Sequence, residues 1–308
     1  MGRMLLVRFV MGAVVLFAGV AHAQEESAYS DPRMRRVVAT LEKRSDADSL
    51  AAAGALRLGP NQEKSLVLMA KASALAPDRA DLLWLHLQVC RAAPPCDPQP
   101  LEQRLRVLDP PNGAGWLGAL ARASTAQDDQ ARDAALLAIS RAERMDLYWS
   151  VLVKHLAGAL TSAKALNPSE AGVAVIGVLS ARVIPPFVTV SKACNGERLE
   201  HPDVVEVCRG VAQAFQHGDT YITEMLGTNI AKRVWPAGSA QWQAADQARH
   251  VYEYRSRLIS QLGATQGPGV VVTLLTFYER NRREQDAQGA FLTASGKSPD
   301  PPAAASAE

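Results

Sequence analysis

The stretch Ala74-Leu75-Ala76-Pro77-Asp78-Arg79-Ala80-Asp81-Leu82-Leu83-Trp84 decides the fold. An Ala/Leu run stops at a proline. A second run of strong helix formers then starts, with an indole a few residues in. Asp78 stands where a helix cap belongs, and Asp81 falls in the first turn, where the helix dipole favours an acid. The same order returns at Val107-Leu108-Asp109-Pro110-Pro111-Asn112-Gly113-Ala114-Gly115-Trp116. It returns again, without a proline, at Arg144-Met145-Asp146-Leu147-Tyr148-Trp149. The three tryptophans are 32 and 33 residues apart. That interval holds two short helices and their turns. Two short amphipathic helices cannot bury their apolar faces alone, whereas stacked pairs can.

On these residues the chain resembles the tetratricopeptide-repeat superfamily over about residues 45–182. The resemblance rests on the period, on the early aromatic in each unit and on Pro77 and Pro110. The third unit lacks the proline, the small-residue spacing within units is broken, and the period drifts by one residue. The resemblance implies an all-α fold, an α-solenoid of helical hairpins capped by the C-terminal helices. The first helices of successive units then line a concave groove. Counted from each tryptophan, the groove side carries Gln88 and Arg91, then Arg122, then Lys154 and His155. Such a row of cations and an amide suits the carboxylates of a peptide. The competing reading is an irregular helical bundle with coincidental spacing and an ordinary solvated face at those positions.

Helical punctuation continues along the chain. Gly59-Pro60 reads as a helix opening, Asn167-Pro168-Ser169-Glu170 as a cap with N1 proline and reaching glutamate, and Gly218-Asp219 as a break. Residues 171–184, rich in Val and Ile, read as a buried helix. Beyond residue 185 the period is lost, but Val204, Val207, Cys208, Val211 and Phe215 share one helical face. Ile222 to Val234 forms a second helix, Trp242 to Leu262 a third closing at Gly263, and Val270 to Arg283 a fourth. The domain reading is therefore repeats over 32–184, a helical region over 185–294 packed on them, and a disordered tail over 295–308.

Residues 1–23 read as a secretory signal peptide. Arg3 and Arg8 precede the apolar run Phe9 to Val20, and Ala21-His22-Ala23 is a small-x-small cleavage site before Gln24. Residues 24–31 form a polar linker. The chain's formal charge of +2 comes from those two arginines, so the mature chain is formally neutral. Neutrality argues against nucleic acid as a partner, because that needs clustered surplus cations. No segment after the signal is apolar for long enough to span a bilayer. An exported chain places Cys90, Cys96, Cys194 and Cys208 in an oxidising compartment. Four cysteines allow three connectivities, and proximity favours Cys90–Cys96 and Cys194–Cys208. Their spacings do not suit structural zinc, and no metal or other cofactor is expected.

No catalytic motif stands out. His86, His155, His201, His217 and His250 form no metal-binding pair. Gly296-Lys297-Ser298 imitates the end of a phosphate loop, but Pro299 follows where a helix must begin. His250, Tyr254 and Arg257 stack on the polar side of the long helix as a salt-bridged exterior. The expected function is an exported, non-enzymatic protein that binds a peptide or partner protein of the cell envelope, periplasmic or secreted. The alternatives are a secreted hydrolase of cell-wall material with an unrecognised helical site, and a structural subunit of an envelope complex.

Overall fold

The computed structural model describes residues 32–183, 185–267 and 269–302. The expected signal peptide and linker, and the last six residues, lie outside them. Among the described residues the protein is all-α, with fifteen α-helices, two 3-10 turns and no strand. The helices are α1 Pro32–Glu42, α2 Ala47–Arg57, α3 Gln62–Leu75, α4 Ala80–Ala92, α5 Gln99–Leu108, α6 Leu117–Thr125, α7 Asp129–Ser140, α8 Trp149–Ser162, α9 Pro168–Arg182, α10 Phe187–Ala193, α11 Pro202–Gln216, α12 Tyr221–Val234, α13 Ala240–Gln266, α14 Gly269–Tyr278 and α15 Glu284–Ala294.

Local chemistry sets the starts. Asp46, Asn61, Asp128 and Ser239 each accept a backbone amide of the first turn that follows. Asn167 and Glu170 close a capping box at α9, as their spacing predicts. Asp78 does not cap α4. That role falls to Arg79 without a side-chain bond, while Asp81 pairs with the Arg79 guanidinium at 2.6–2.7 Å. α3 starts after Asn61, not at Gly59-Pro60. α13 runs past Gly263 to Gln266 and ends on Gly267, whose φ of +64° only glycine adopts without strain. The expected fourth C-terminal helix, α14, stops at Tyr278 rather than Arg283, and a further helix, α15, starts at Glu284.

Consecutive helices pair as hairpins: α2 with α3, α4 with α5, α6 with α7, α8 with α9, and α11 with α12. The last pair is the tightest. A Cβ on Gly227 would stand 2.6 Å from the Gln216 nitrogen and 2.7 Å from the Ala212 oxygen. A solenoid is not confirmed by the contacts, which reach beyond nearest neighbours. α7 leads on to α11, while α8 turns back to lie against α1, α2, α4 and α14. One continuous core results, running from Val37 to Leu292. Trp84, Phe215 and Phe291, the largest fully buried side chains, come from its beginning, middle and end. Contacts at the far end reach beyond α15: Arg255 of α13 donates to the Pro299 carbonyl and to Asp300, so the expected disordered tail is placed as far as Pro302.

Both expected disulfide pairs are present. Cys90–Cys96 ties the end of α4 to the turn before α5, and Cys194–Cys208 ties the end of α10 to α11. The second closes a loop with a sequence separation of 14. Removing it in a Cys194→Ser/Cys208→Ser variant is expected to cost about 3 kcal/mol through the freer unfolded chain. Urea titration of both proteins checks this, and an unchanged midpoint refutes it.

Candidate functional site

The site grows from one corner of the chain, between α7 and α8. Asn112 grips it, donating to the Asp146 carbonyl at 3.0 Å and accepting the Asp146 amide at 3.0 Å. Tyr148 follows in the left-handed region at φ +59°, and its hydroxyl donates to Asp109 at 2.7 Å. A non-glycine residue is strained there by about 1–2 kcal/mol, so neighbouring bonds must hold it.

No side chain of the corner itself caps α8. Asp219 does so from a distance, its Oδ1 accepting the Leu147 amide and its Oδ2 the Trp149 amide, both at 2.7 Å. Glu284 repeats the device one helix further on. Its carboxylate accepts the Tyr221 amide at 2.9 Å, and its own amide donates to the Asp219 carbonyl at 2.7 Å. Three helix starts, those of α8, α12 and α15, are thus tied together by two acids at the positive ends of helix dipoles.

Beside this junction lies a cavity of about 340 Å³. Aromatic residues are sparse in this chain at 6%, yet Trp84, Trp149, Phe187, Tyr221 and Tyr252 all line it. Leucine, valine, isoleucine and proline side chains complete the wall with Ser180, Thr220, Ser256 and Gln288, and among the described residues Glu284 is its only charged member. Tyr221 and Tyr252 pack with ring centroids 4.9 Å apart. The indole Nε1 of Trp84 is buried without a hydrogen-bond partner, whereas the Trp149 indole engages Tyr278 and the Tyr221 hydroxyl engages Arg255. Five aromatic residues around one cavity, with a carboxylate in its wall, mark it out.

Burial, helped by the neighbouring Glu224 charge, pushes the Glu284 carboxyl up to about 7, against the pull of the Tyr221 amide and of Gln288. Burial and the Asp146 carboxylate push Asp219 up to about 8, although the two amides favour its ionised form. Both folded values lie above the unfolded ones. Stability from these groups is therefore complete below about pH 4 and is lost as pH rises through 7 to 8. The expected result is a lower urea midpoint at pH 8 than at pH 5, with a smaller difference in Glu284→Gln. Equal pH dependence in the two proteins refutes the assignment to Glu284.

A second concavity, about 350 Å³, lies on the other side of the corner. Asp146 is ion-paired there with Arg144 at 2.8 Å and with Arg282. Lys154 and His155 line it, and His155 Nδ1 lies 3.2 Å from Asp48. The other expected groove residues stand elsewhere. Glu102, fully buried in α5, receives both terminal nitrogens of Arg122 at 2.7–2.8 Å, Arg91 at 3.1 Å and Arg106 at 3.5 Å. Gln88 accepts from Arg91 at 3.4 Å, and Arg106 covers the Trp116 ring at 3.8 Å. A Cβ on Gly118 would collide with the Glu102 carboxylate and the Arg91 guanidinium. The five row residues thus form two separate groups.

The indoles differ in setting. Trp84 and Trp149 share the aromatic cavity, and Trp116 lies under Arg106. His86 is held below its usual range by burial among leucines. His250 and Arg257 are exposed on α13. Gly296-Lys297-Ser298 follows the end of α15 and opens no helix. Asp219 and Glu284 carry no sequence signal beyond a Gly-Asp break and an acid beside a basic run. Among the described residues no cluster of three or more His, Cys, Asp or Glu is arranged for a metal, and no helix is long and apolar enough to cross a membrane. Comparison with known proteins finds no matching family model, curated sequence or solved structure.

Proposed function

We propose that this protein is exported, that it is a degenerate helical-repeat protein, and that it acts by binding a group of a peptide or partner protein in the aromatic cavity. Export is supported by the N-terminal sequence pattern and agrees with two disulfides, which persist in oxidising compartments. The repeat reading is supported by hairpins that begin at Ala47, Ala80, Gly113 and Trp149. The observation that carries the binding reading is the gathering of Trp84, Trp149, Phe187, Tyr221 and Tyr252 around one cavity whose wall also holds Glu284 and Gln288. Such a lining gives affinity through burial and orientation through a few polar groups. The hydrolase reading has less support, since Asp219 is engaged by two amides and Asp146 by two guanidiniums.

The test is a thermal-shift screen of short peptides, with Ile222→Trp as the blocking variant. Ile222 lines the cavity and is 50% exposed, so a larger side chain there fills the mouth without disturbing the core. Shifts that vanish in Ile222→Trp support the reading. Shifts that persist unchanged, or none at all across the screen, overturn it.

A further inference from the structure

We propose that the group taken by the aromatic cavity is an organic ammonium ion, seated against the rings and the Glu284 carboxylate. The inference rests on the cavity being the binding site and adds the chemistry of what enters it.

Charge is the first argument. Among the described residues Glu284 is the only charged residue in the lining, and it forms no ion pair. Both oxygens are held by neutral donors, the Tyr221 amide and Gln288 Nε2. The nearest acid, Glu224, has Arg283 at 3.9 Å and also the attraction of Arg255. An anionic ligand would stand against Glu284, whereas a cation gives that carboxylate an ion-pair partner within the lining.

The rings are the second argument. Aromatic faces carry negative potential and attract ammonium groups, most strongly when water is excluded. Five aromatic residues surround the space in which a cation would meet Glu284. Small amino alcohols and the amino terminus of a peptide both carry such a group. Size is the third. About 340 Å³ lies at the small end of ligand pockets and suits a head group rather than an extended chain.

The probes are choline, its uncharged isostere 3,3-dimethylbutan-1-ol, and glycylglycinamide with a free or acetylated amino terminus. Calorimetry and tryptophan fluorescence read their binding to the full mature chain. Choline is expected to bind about tenfold or more tightly than the isosteric alcohol. Glu284→Gln, which keeps an oxygen for the Tyr221 amide, should bring the two to parity. Tyr252→Leu, which removes a ring and keeps the acid, should weaken choline several-fold. Urea midpoints of both variants establish that they fold. Choline bound while both dipeptides stay silent identifies a free small amine. The free dipeptide bound while choline and the acetylated form stay silent identifies a peptide terminus. Equal binding of alcohol and choline, or full choline affinity in Glu284→Gln, overturns the ammonium inference and leaves the cavity standing. Silence of both cationic probes also overturns it, and the peptide screen with Ile222→Trp then judges the cavity separately.

Discussion

Asp219→Ala is expected to lower the unfolding free energy by about 3–5 kcal/mol. Asp219 is 1% exposed, and its carboxylate meets the amides of Leu147 and Trp149 and the charges of Asp146 and Arg282. Truncation leaves two buried donors without acceptors, each costing about 1–3 kcal/mol. It also removes the only cap on α8, the helix lying against α1, α2, α4, α9 and α14. The left-handed Tyr148 loses support on both flanks, so its strain comes due as well. Asp219→Asn keeps one acceptor and removes the like charge beside Asp146, so its loss should be the smaller. Its stability should also fall less between pH 5 and pH 8. Urea unfolding followed by tryptophan fluorescence measures both variants. A loss under about 1 kcal/mol for alanine would mean that Asn112 and Asp109 hold the corner without Asp219.

The features visible in the sequence are those decided by near neighbours. Asn167 and Glu170 cap α9 because the bond spans three residues. The disulfides follow from short separations, and helix over strand follows from Ala and Leu. Boundaries were lost where a distant contact decides them. Gly263 does not end α13, because nothing there requires a left-handed residue, whereas Gly267 does end it. The break after Tyr278 lets Glu284 begin a new helix and reach Tyr221, sixty-three residues earlier. The return of α8 onto α2 and α4 is likewise invisible in a period of tryptophans. That period says that hairpins recur but not which hairpin each one stacks on. The aromatic cavity suffers most from this. Trp84, Trp149, Phe187, Tyr221 and Tyr252 come from five helices, and no window of sequence contains more than two of the set.

The cation row shows the same limit and yields the other large effect. Helical spacing puts Gln88 and Arg91 on one face, but it cannot show that Glu102 of α5 stands between Arg91 of α4 and Arg122 of α6. In sequence Glu102 is an ordinary first-turn acid. In the fold it is the buried counter-charge of three guanidiniums, and Glu102→Ala is expected to cost about 3–5 kcal/mol. The three arginines then fare differently. Arg122, 40% exposed, swings into water, while Arg91, 18% exposed, stays confined beside the core without a partner. Most of the loss therefore belongs to Arg91. Adding Arg91→Leu to Glu102→Ala should return part of the stability, although Arg91→Leu alone is destabilising. The two changes are then strongly non-additive in a double-mutant cycle read by urea titration. Additive losses would show that Arg91 escapes to solvent by itself. The cycle also decides whether these arginines are free to bind a peptide. If they are, an acidic peptide restores the midpoint of Glu102→Ala by standing in for the missing carboxylate. The burial of Glu102 and the packing at Gly118 leave no room for one, so no restoration is expected, and these arginines hold helices together rather than hold a ligand.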